Sequence, residues 1–589
     1  MKKNIILLLT GLVLASSCKK DLLNLTPYTA ISSTTMWTND NLTDLGMNGV
    51  YQALRLSSSS SGNTGEEPYM MDQLGFSTQA RGPVNILNGS STANDGIYAD
   101  FWRNLYEGIQ RANDAIANIP LKSPSVATKK ARYVAEAKFL RAYFYLQLNQ
   151  LYKGVPIYLT YTPPSQATKP RSTEADVWNQ VIADLTDAIN EPNLPAIYKA
   201  GDASYGHATK GAAYALRGKA YLYMQKYDLA AADFQQVQNE GYGLFSNYYT
   251  LFKQANQQCS EMIFAIQNIA IVGSGGTMEW FCGNRSSYGS CWDNYVVPPN
   301  EVDLYQNLDG SAFNWDAVIP GYNELTPAQR EVYFLRNNLT ANEISAAAAR
   351  GAQMSLYLPT GNEARIAQAY ANRDPRLALS VITPYSTYNG VFGAANATLT
   401  WRWPYHGAAA VNGDVQTDMT GTPVYLHRKF VAEGNAEIPV TGGRNAQPLN
   451  FPLIRYADVL LMWAEALNEQ GQTNAAIPLV NLVRGRAGVA LLNSNAATTV
   501  AGQNDLRLRI RNERRVEFIN EGVNYFDELR WGTLYNDVYT NNPGEKQPWG
   551  TIILPYTWQF GASTTYVWPV PQAELQRNPN LKQTPGYGW

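Results

Sequence analysis

The chain has 589 residues, 45% of them hydrophobic, and a formal net charge of −2. This length can bury a large core and allows several domains. With 16% charged residues, the balanced composition excludes the electrostatic drive toward nucleic acid or anionic lipid of a strongly basic chain. Aromatic residues make up 12%, with 38 Tyr and 14 Trp. This exceeds what core packing obviously requires, so we expect some aromatic side chains at a surface.

The N-terminus has the features of a secretion signal. Lys2 and Lys3 precede an apolar run over residues 5–14, and small residues then lead to Cys18. A basic start, a short apolar run and small residues before a cleavage point are typical of a signal peptide. We therefore predict a lipoprotein signal peptide over residues 1–17, with acyl chains such as palmitate on Cys18 anchoring the mature chain to a membrane. The alternative is an ordinary signal peptide followed by an incidental cysteine.

Helical periodicity dominates the chain outside one long region. Residues from about 241 to 450 are rich in Gly, Asn, Thr and Tyr and are predicted to be irregular. The stretch 57–65 is rich in Ser and Gly and is predicted as a loop. Helical patterns cover residues 100–118, 128–152, 173–190, 207–240, 454–469, 474–486 and 505–521.

A repeat is present inside these helices. Gly218, Tyr221, Ala230 and Phe234 fall at relative positions 0, 3, 12 and 16. These are the offsets of a tetratricopeptide helix pair, in which small residues let two helices approach and larger ones fill the gap. The same offsets recur at Ala464, Leu467, Ala476 and Val480. For either set of residues taken alone, the alternative is a chance amphipathic spacing.

Two stretches near the C-terminus predict charged, largely buried helices. Within 451–471, Arg455, Asp458, Glu465 and Glu469 form one narrow polar stripe on an otherwise apolar helix. Arginine and glutamate alternate over 511–532, so their charges nearly balance and a phosphate-binding face is not expected. We interpret this second stretch as a salt-bridged structural helix. Within it, Arg514 and Glu517 are three residues apart and are expected to pair across one turn.

Known catalytic motifs are absent from the sequence. It has no H-E-x-x-H, G-x-S-x-G, G-x-x-x-x-G-K-[ST] or G-x-G-x-x-G pattern. His207, His406 and His427 each stand alone, so we expect roles in packing or at the surface. A glycosidase needs two carboxylates across a sugar, for which Asp293 and Asp303 are unspecific candidates. The sequence does not predict an enzyme.

The cysteines leave one question open. Beyond Cys18 the chain has Cys259, Cys282 and Cys291, an odd number. Cys282 and Cys291 could close a small loop as a disulfide in an oxidising compartment, which the sequence does not decide. No histidine lies near them, so no zinc site is predicted. We predict neither a cofactor nor a metal site, although the sequence leaves a structural calcium ion open.

Two aromatic clusters in the irregular region predict a ligand-binding surface. Loops on a rigid scaffold commonly carry recognition, and flat rings can stack on the C–H-rich face of a sugar. The alternative is that these rings form a small core beneath long loops. The predicted ligand-binding residues are Trp280, Trp292 and Tyr295 in the first cluster, Trp401, Trp403 and Tyr405 in the second, and Arg81 and Asn85 as polar candidates in an early loop.

Several sequence blocks carry a resemblance to a known family. The 451–471 and 511–532 stretches resemble the C-terminal signature of the SusD/RagB family of surface nutrient-binding lipoproteins. Further blocks occur in the expected order and span nearly the whole chain. They are Phe101-Trp102, 111–113, 136–142, 301–310, 372–376 and 568–587.

The resemblance implies a mainly α fold, with tetratricopeptide-like helix pairs as a scaffold, a long loop-rich region and few short strands. Residues 18–240 would form an N-terminal helical region and residues 241–589 a loop-rich then helical region, packed as one compact unit. The family implies a lipid-anchored protein on the outer face of the outer membrane. It would bind an oligosaccharide and deliver it to a TonB-dependent transporter barrel. The alternatives are a peptide as cargo or a surface glycoside hydrolase.

Overall fold

The computed structural model describes residues 35–55, 68–287, 290–392, 395–407, 411–418, 422–434, 445–541, 543–553, 558–561 and 565–587. The predicted signal peptide over residues 1–17, the lipidation site Cys18 and the predicted loop 57–65 lie outside these residues.

The described part of the chain is mainly helical, as predicted. The long helices fall where the apolar periodicity places them, and the 207–240 region divides into two. The α-helices are α1 (Asp40–Gln52), α2 (Gly96–Lys122), α3 (Ala127–Tyr152), α4 (Glu174–Asn190), α5 (Lys210–Tyr223), α6 (Tyr227–Asn239), α7 (Tyr248–Leu251), α8 (Met278–Cys282), α9 (Pro299–Leu304), α10 (Trp315–Val318), α11 (Pro327–Phe334), α12 (Ala341–Ala349), α13 (Asn362–Ala367), α14 (Pro375–Ser380), α15 (Tyr456–Glu469), α16 (Thr473–Ala487), α17 (Gln503–Phe518), α18 (Asn524–Trp531) and α19 (Gln572–Arg577).

Helix pairs form the scaffold. Helices α2 to α6 each pack on the next, and α6 packs on α15, which in turn packs on α16 and α17. Gly218 explains one close approach: a Cβ atom built there would lie 2.6 Å from the ring of Phe234. Only glycine therefore lets α5 and α6 meet at this point, which confirms the predicted tetratricopeptide-like packing. At the second set of offsets, Ala464, Ala476 and Val480 are buried between α15 and α16.

The polar stripe on α15 faces charged residues of α17 and α18. Asp458 lies 2.7 Å from Arg514 of α17, and Glu465 lies 2.5 Å from Arg530 of α18. The predicted pair between Arg514 and Glu517 is wrong. Arg514 instead binds Asp458 and Asp527, because its side chain points toward the neighbouring helices rather than along its own.

The region 241–450 contains more regular structure than predicted, in short pieces. Helices α7 to α14 lie within it, together with most of the strands. The strands are β1 (Gln79–Ala80), β2 (Met262–Ile266), β3 (Tyr295–Val296), β4 (Val381–Ile382), β5 (Thr387–Phe392), β6 (Ala395–Thr400), β7 (Val411–Asp414), β8 (Leu426–His427) and β9 (Phe451–Arg455). They pair as β1–β3, β2–β9 and β4–β8, all antiparallel, and as a sheet in which β6 lies between antiparallel β5 and parallel β7.

Two large hydrophobic cores lie beneath these elements. One occupies the helical scaffold, and the second lies under the region of short helices and strands. The antiparallel β2–β9 pair joins the two parts, because its residues contribute to both cores. The short elements are therefore fixed against a rigid base, which positions the loops that they carry.

Candidate functional site

A short sheet brings the early loop to the first aromatic cluster. Ala80 of β1 pairs with Tyr295 of β3, and the Arg81 N–H donates to the carbonyl of Asn294 at 2.8 Å. Two predicted site residues, Arg81 and Tyr295, therefore become neighbours although more than 200 residues separate them in the sequence. Sequence periodicity cannot show this pairing, because each strand has two residues.

Trp280 and Trp292 form the centre of the candidate site. Their rings pack edge to face with centroids 5.3 Å apart. The Trp292 N–H donates to the Trp280 carbonyl at 2.9 Å, and the Asp293 N–H donates to the Gly283 carbonyl at 2.7 Å. These bonds close the loop between the two indoles and fix their relative position.

This aromatic patch, which we define as Trp280, Trp292 and Tyr295, is half-buried. All three side chains pack against the second core, and each remains partly accessible. Buried Phe281 lies behind them, with its ring centroid 6.0 Å from that of Trp292. The patch thus rests on the second core and keeps part of its aromatic surface accessible. The interpretation as a ligand-binding surface and the alternative of a small core beneath loops therefore each apply in part.

Arg81 supports the patch from inside. Its side chain is 5% exposed, forms an ion pair with buried Asp293, and lies 3.4 Å from Glu545. Burial raises the pKa of Asp293 to about 6, while the charge of Arg81 acts in the opposite direction. Asp293 also accepts the Asp418 N–H at 2.6 Å. Arg81 therefore holds three loops together and does not present its charge to solvent, which corrects its predicted place at an open surface.

The structure does not group Asn85 with these residues. Asn85 is exposed, and its amide donates to Asp95 at 3.2 Å. Asp95 is the N-cap residue of α2. Asn85 thus contacts the residue that begins α2.

Trp401 and Trp403 are buried, which corrects the prediction of a second exposed cluster. They are 3% and 6% exposed. The Trp401 indole N–H donates to the Val424 carbonyl at 2.9 Å, and that of Trp403 donates to Glu331 at 2.9 Å. Because their polar atoms are satisfied inside the second core, these indoles have no open face for a ligand.

Tyr405, the third member of that cluster, is half-buried. It follows the cis bond between Trp403 and Pro404 and precedes His406, whose ring lies 2.6 Å from the carboxylate of Asp414. Tyr405 alone of the second cluster therefore retains surface, at the edge of the covered indoles.

Two polar residues that the sequence analysis missed flank the patch. Arg285, in the loop between the two indoles, forms an ion pair with Asp418, and their side chains are 31% and 37% exposed. Asp418 is held near the patch by its backbone bond to Asp293. The Gly/Ser-rich context of Arg285 could have indicated a loop position, but no sequence signal connects Asp418 with it.

The three described cysteines are free thiols. Cys282 lies 3.5 Å from Asn520, and Cys291 lies 3.7 Å from a carboxylate oxygen of Glu279. Burial raises the pKa of the Cys291 thiol, and the charge of Glu279 raises it further. Across the described ranges, no three His, Cys, Asp or Glu side chains are grouped as a metal ion would require. In those same ranges, no helix combines the length and apolarity needed to cross a membrane.

The fold and this patch define a helical scaffold protein with a candidate ligand-binding surface. Residues 235–587 match the model of the SusD family, and residues 21–222 match a model described as starch-binding associating with outer membrane. The chain belongs to the SusD family.

Curated relatives and solved structures agree with this assignment. The SusD-like protein P38 of Formosa agariphila is 24% identical over 531 residues, which cover 89% of this chain and 90% of that protein. A SusD-like carbohydrate binding protein of Bacteroides fragilis superposes with a TM-score of 0.70 at 24% identity, covering 93% of this chain and 100% of that one. A laminarin binding SusD-like protein superposes with a TM-score of 0.64 at 22% identity, covering 94% and 100%.

Proposed function

We propose that this chain is a cell-surface glycan-binding lipoprotein of the outer membrane, which captures an oligosaccharide and delivers it to a TonB-dependent transporter. The proposal rests on the half-buried Trp280–Trp292 pair, whose ring centroids are 5.3 Å apart and whose backbones are joined by a hydrogen bond. An edge-to-face pair presents one indole face beside the edge of the other, which suits stacking on a sugar ring while hydroxyl groups reach Arg285 and Asp418.

The comparisons support the glycan as ligand. Similar solved structures include proteins named as carbohydrate binding, laminarin binding and surface glycan-binding. The family model over residues 21–222 is described by starch binding and outer-membrane association. The predicted acylation of Cys18 supplies the anchor that such a location needs.

Binding without turnover is also consistent with the two carboxylates considered for a glycosidase. Asp293 is buried and ion-paired with Arg81. Asp303 accepts the Trp315 indole N–H with both oxygens at 3.2 Å, and burial raises its pKa to about 6. Each carboxylate is committed to internal contacts, whereas glycosidase carboxylates face each other across the substrate.

Calorimetry tests the ligand class. The purified mature chain is titrated with neutral glucan oligosaccharides, beginning with β-1,3- and α-1,4-linked hexasaccharides, and with a panel of peptides. We expect saccharide binding in the millimolar to micromolar range, about −4 to −8 kcal/mol. Binding of peptides alone would replace the glycan with a peptide as cargo. Release of shortened sugars during the titration would instead establish a hydrolase.

Membrane fractionation and affinity capture test the location and the partner. The wild-type chain should be in the outer-membrane fraction and sensitive to protease added to intact cells, whereas Cys18→Ser should leave that fraction. Capture from detergent-solubilised outer membrane should recover a large β-barrel protein with the wild-type chain. Repeated capture without a barrel would remove the transporter from the proposal while leaving the glycan-binding result unaffected.

A further inference from the structure

A cleft lies on the helical scaffold, and none of the residues that line it belongs to the aromatic patch. It has a volume of about 600 Å³ and lies between α2, the loop after α3, and α19. This volume is within the range of small-molecule binding sites. Its lining includes Trp102, Tyr106, Gln110, Tyr158, Tyr161 and Arg577.

The loop after α3 forms one wall of the cleft, and α2 and α3 hold this wall in place. The carbonyl of Tyr158 accepts hydrogen bonds from Asn113 at 3.0 Å and from Tyr145 at 2.9 Å. Further along the wall, Gln110 accepts the Thr162 N–H at 2.7 Å. The wall is thus preformed, which reduces the entropy lost when a ligand is held.

The charges lining the cleft balance. Its arginines are Arg103, Arg111 and Arg577, and its carboxylates are Glu107, Asp114 and Glu574. Arg111 lies 2.5 Å from Glu107, and Arg577 forms an ion pair with Glu574. Asp114 accepts the Trp37 indole N–H at 2.8 Å. The cleft therefore lacks the surplus charge that would select an anion or a cation, and its chemistry favours a neutral ligand.

Aromatic and amide groups face this neutral space. The rings of Trp102 and Tyr106 have centroids 5.0 Å apart, and that of Tyr158 lies 6.2 Å from that of Tyr106. Tyr161 at the rim is 56% exposed and makes no side-chain hydrogen bond or ring contact with the residues that the structure describes. The Gln110 carbonyl oxygen is occupied, which leaves its NH₂ group as a donor toward a ligand.

We propose that this cleft is a second saccharide site, which takes a short neutral oligosaccharide stacked on Tyr161 and Tyr106. The inference rests on the proposed function, since it assumes that the chain handles glycans. Two weak sites on one rigid chain would retain a polysaccharide long enough to reach both more firmly than either site alone. The cleft would thus select for chain length and not only for sugar type.

Hydrogen–deuterium exchange with the full mature chain separates the two sites. The probes are the β-1,3- and α-1,4-linked glucan hexasaccharides, and the readout is protection of residues 156–167 and, separately, of residues 280–295. The variants are Tyr161→Ala and Trp292→Ala. Leu159→Ala is the matched control, because Leu159 is 43% exposed on the same loop but does not line the cleft.

The inference predicts that a hexasaccharide protects residues 156–167 in the wild type, Trp292→Ala and Leu159→Ala. Protection of residues 156–167 should fall at least about fivefold in Tyr161→Ala, because this variant loses one ring contact of about 1 kcal/mol. Protection confined to residues 280–295 would overturn the second site and leave the proposed function standing. Protection of residues 156–167 by peptides but by no saccharide would overturn the ligand class. Absence of protection in both segments would overturn the inference and the proposed function together.

Discussion

Arg455 Nε lies 2.6 Å from Glu521 Oε2, with both side chains buried. Arg455 also lies 2.5 Å from Glu261 and 3.0 Å from Glu517, so one arginine binds three carboxylates, two at or just after the end of α17 and one just before β2. Burial raises the pKa of Glu517, but Arg486, Arg455 and Arg376 lower it to about 2. This buried network joins the end of β9, the end of α17 and the segment before β2, and thereby holds the scaffold to the region that carries the aromatic patch.

Breaking this network should be costly. Arg455→Met removes the one cation that contacts all three buried carboxylates, which we expect to lower the free energy of unfolding by about 3–5 kcal/mol, even though Arg486 and Lys429 still contact the network. Urea denaturation measures this change in the free energy of unfolding. Lys138→Met is the control: Lys138 pairs at 2.6 Å with Asp187, whose side chain is 57% exposed, so its loss should cost below about 1 kcal/mol. Equal effects of the two substitutions would show that the network does not join the two parts.

A buried glutamate should make the free energy of unfolding fall as the pH rises from acidic values to about 8. Burial raises the pKa of Glu301 to about 8, although Arg515 acts against this shift. An unfolded glutamate has a pKa of about 4.3, which is below the pKa of Glu301 in the folded chain. The stability that protonated Glu301 contributes is therefore complete below about pH 4.3 and is lost as the pH rises through about 8.

We expect Glu301→Gln to flatten the fall in unfolding free energy between about pH 5 and pH 9. Part of the fall should remain, because burial also raises the pKa of Asp72 to about 7. Urea titrations across this range measure it, with Glu574→Gln at a solvent-facing ion pair as control. Parallel curves for wild type and Glu301→Gln would contradict the assignment.

The two tryptophan clusters should respond differently to truncation. Trp403→Ala removes an indole that is 6% exposed and leaves Glu331 without its 2.9 Å hydrogen bond. We expect a loss of about 3–5 kcal/mol in the free energy of unfolding. Trp292→Ala should cost less, because half-buried Trp292 loses less buried area. Thermal unfolding followed by circular dichroism compares them, and a larger loss for Trp292→Ala would reverse the assignment of core and surface.

The thiols should differ in reactivity. Burial raises the pKa of both Cys259 and Cys291, so the difference comes from accessibility: Cys259 is half-buried, whereas Cys282 and Cys291 are buried. Iodoacetamide at about pH 8 should label Cys259 first in the native chain and the other two after unfolding in urea. The Cys259→Ser variant should remain unlabelled until it unfolds. Mass spectrometry of unreduced peptides checks that the thiols are free. A disulfide-linked pair of peptides carrying Cys282 and Cys291 would contradict the free thiols of the structure.

Much of the scaffold follows from the sequence because its signals are local. The spacing from Gly218 to Phe234 predicts the helix pair, and the structure confirms the close contact between them. The polar stripe of α15 predicts a buried charged face, but not its partners. Arg514 reaches Asp458 and Asp527 on other helices, since a buried charge pairs where three-dimensional packing places its counter-ion.

The site was less predictable because its residues meet through tertiary structure. Trp292 and Trp403 both lie among loop-forming residues in the sequence, yet Trp292 is half-buried and Trp403 is buried. The difference comes from Glu331, Arg350 and Trp549, which surround Trp403 from distant positions. Likewise, the antiparallel contact of β1 with β3 makes Arg81 part of the site and the same contact buries its charge.

Calorimetry of matched variants shows whether the Trp280–Trp292 pair binds a saccharide. All titrations use a Tyr161→Ala background, so that the cleft on the helical scaffold contributes less to binding. Tyr535→Ala is the control variant, because Tyr535 is a 48% exposed aromatic residue outside the patch. We predict that Trp292→Ala weakens hexasaccharide binding at least about fivefold, or about 1 kcal/mol, while Tyr535→Ala leaves it unchanged. If a folded Trp292→Ala chain binds the saccharide with undiminished affinity, the Trp280–Trp292 pair is not the binding site.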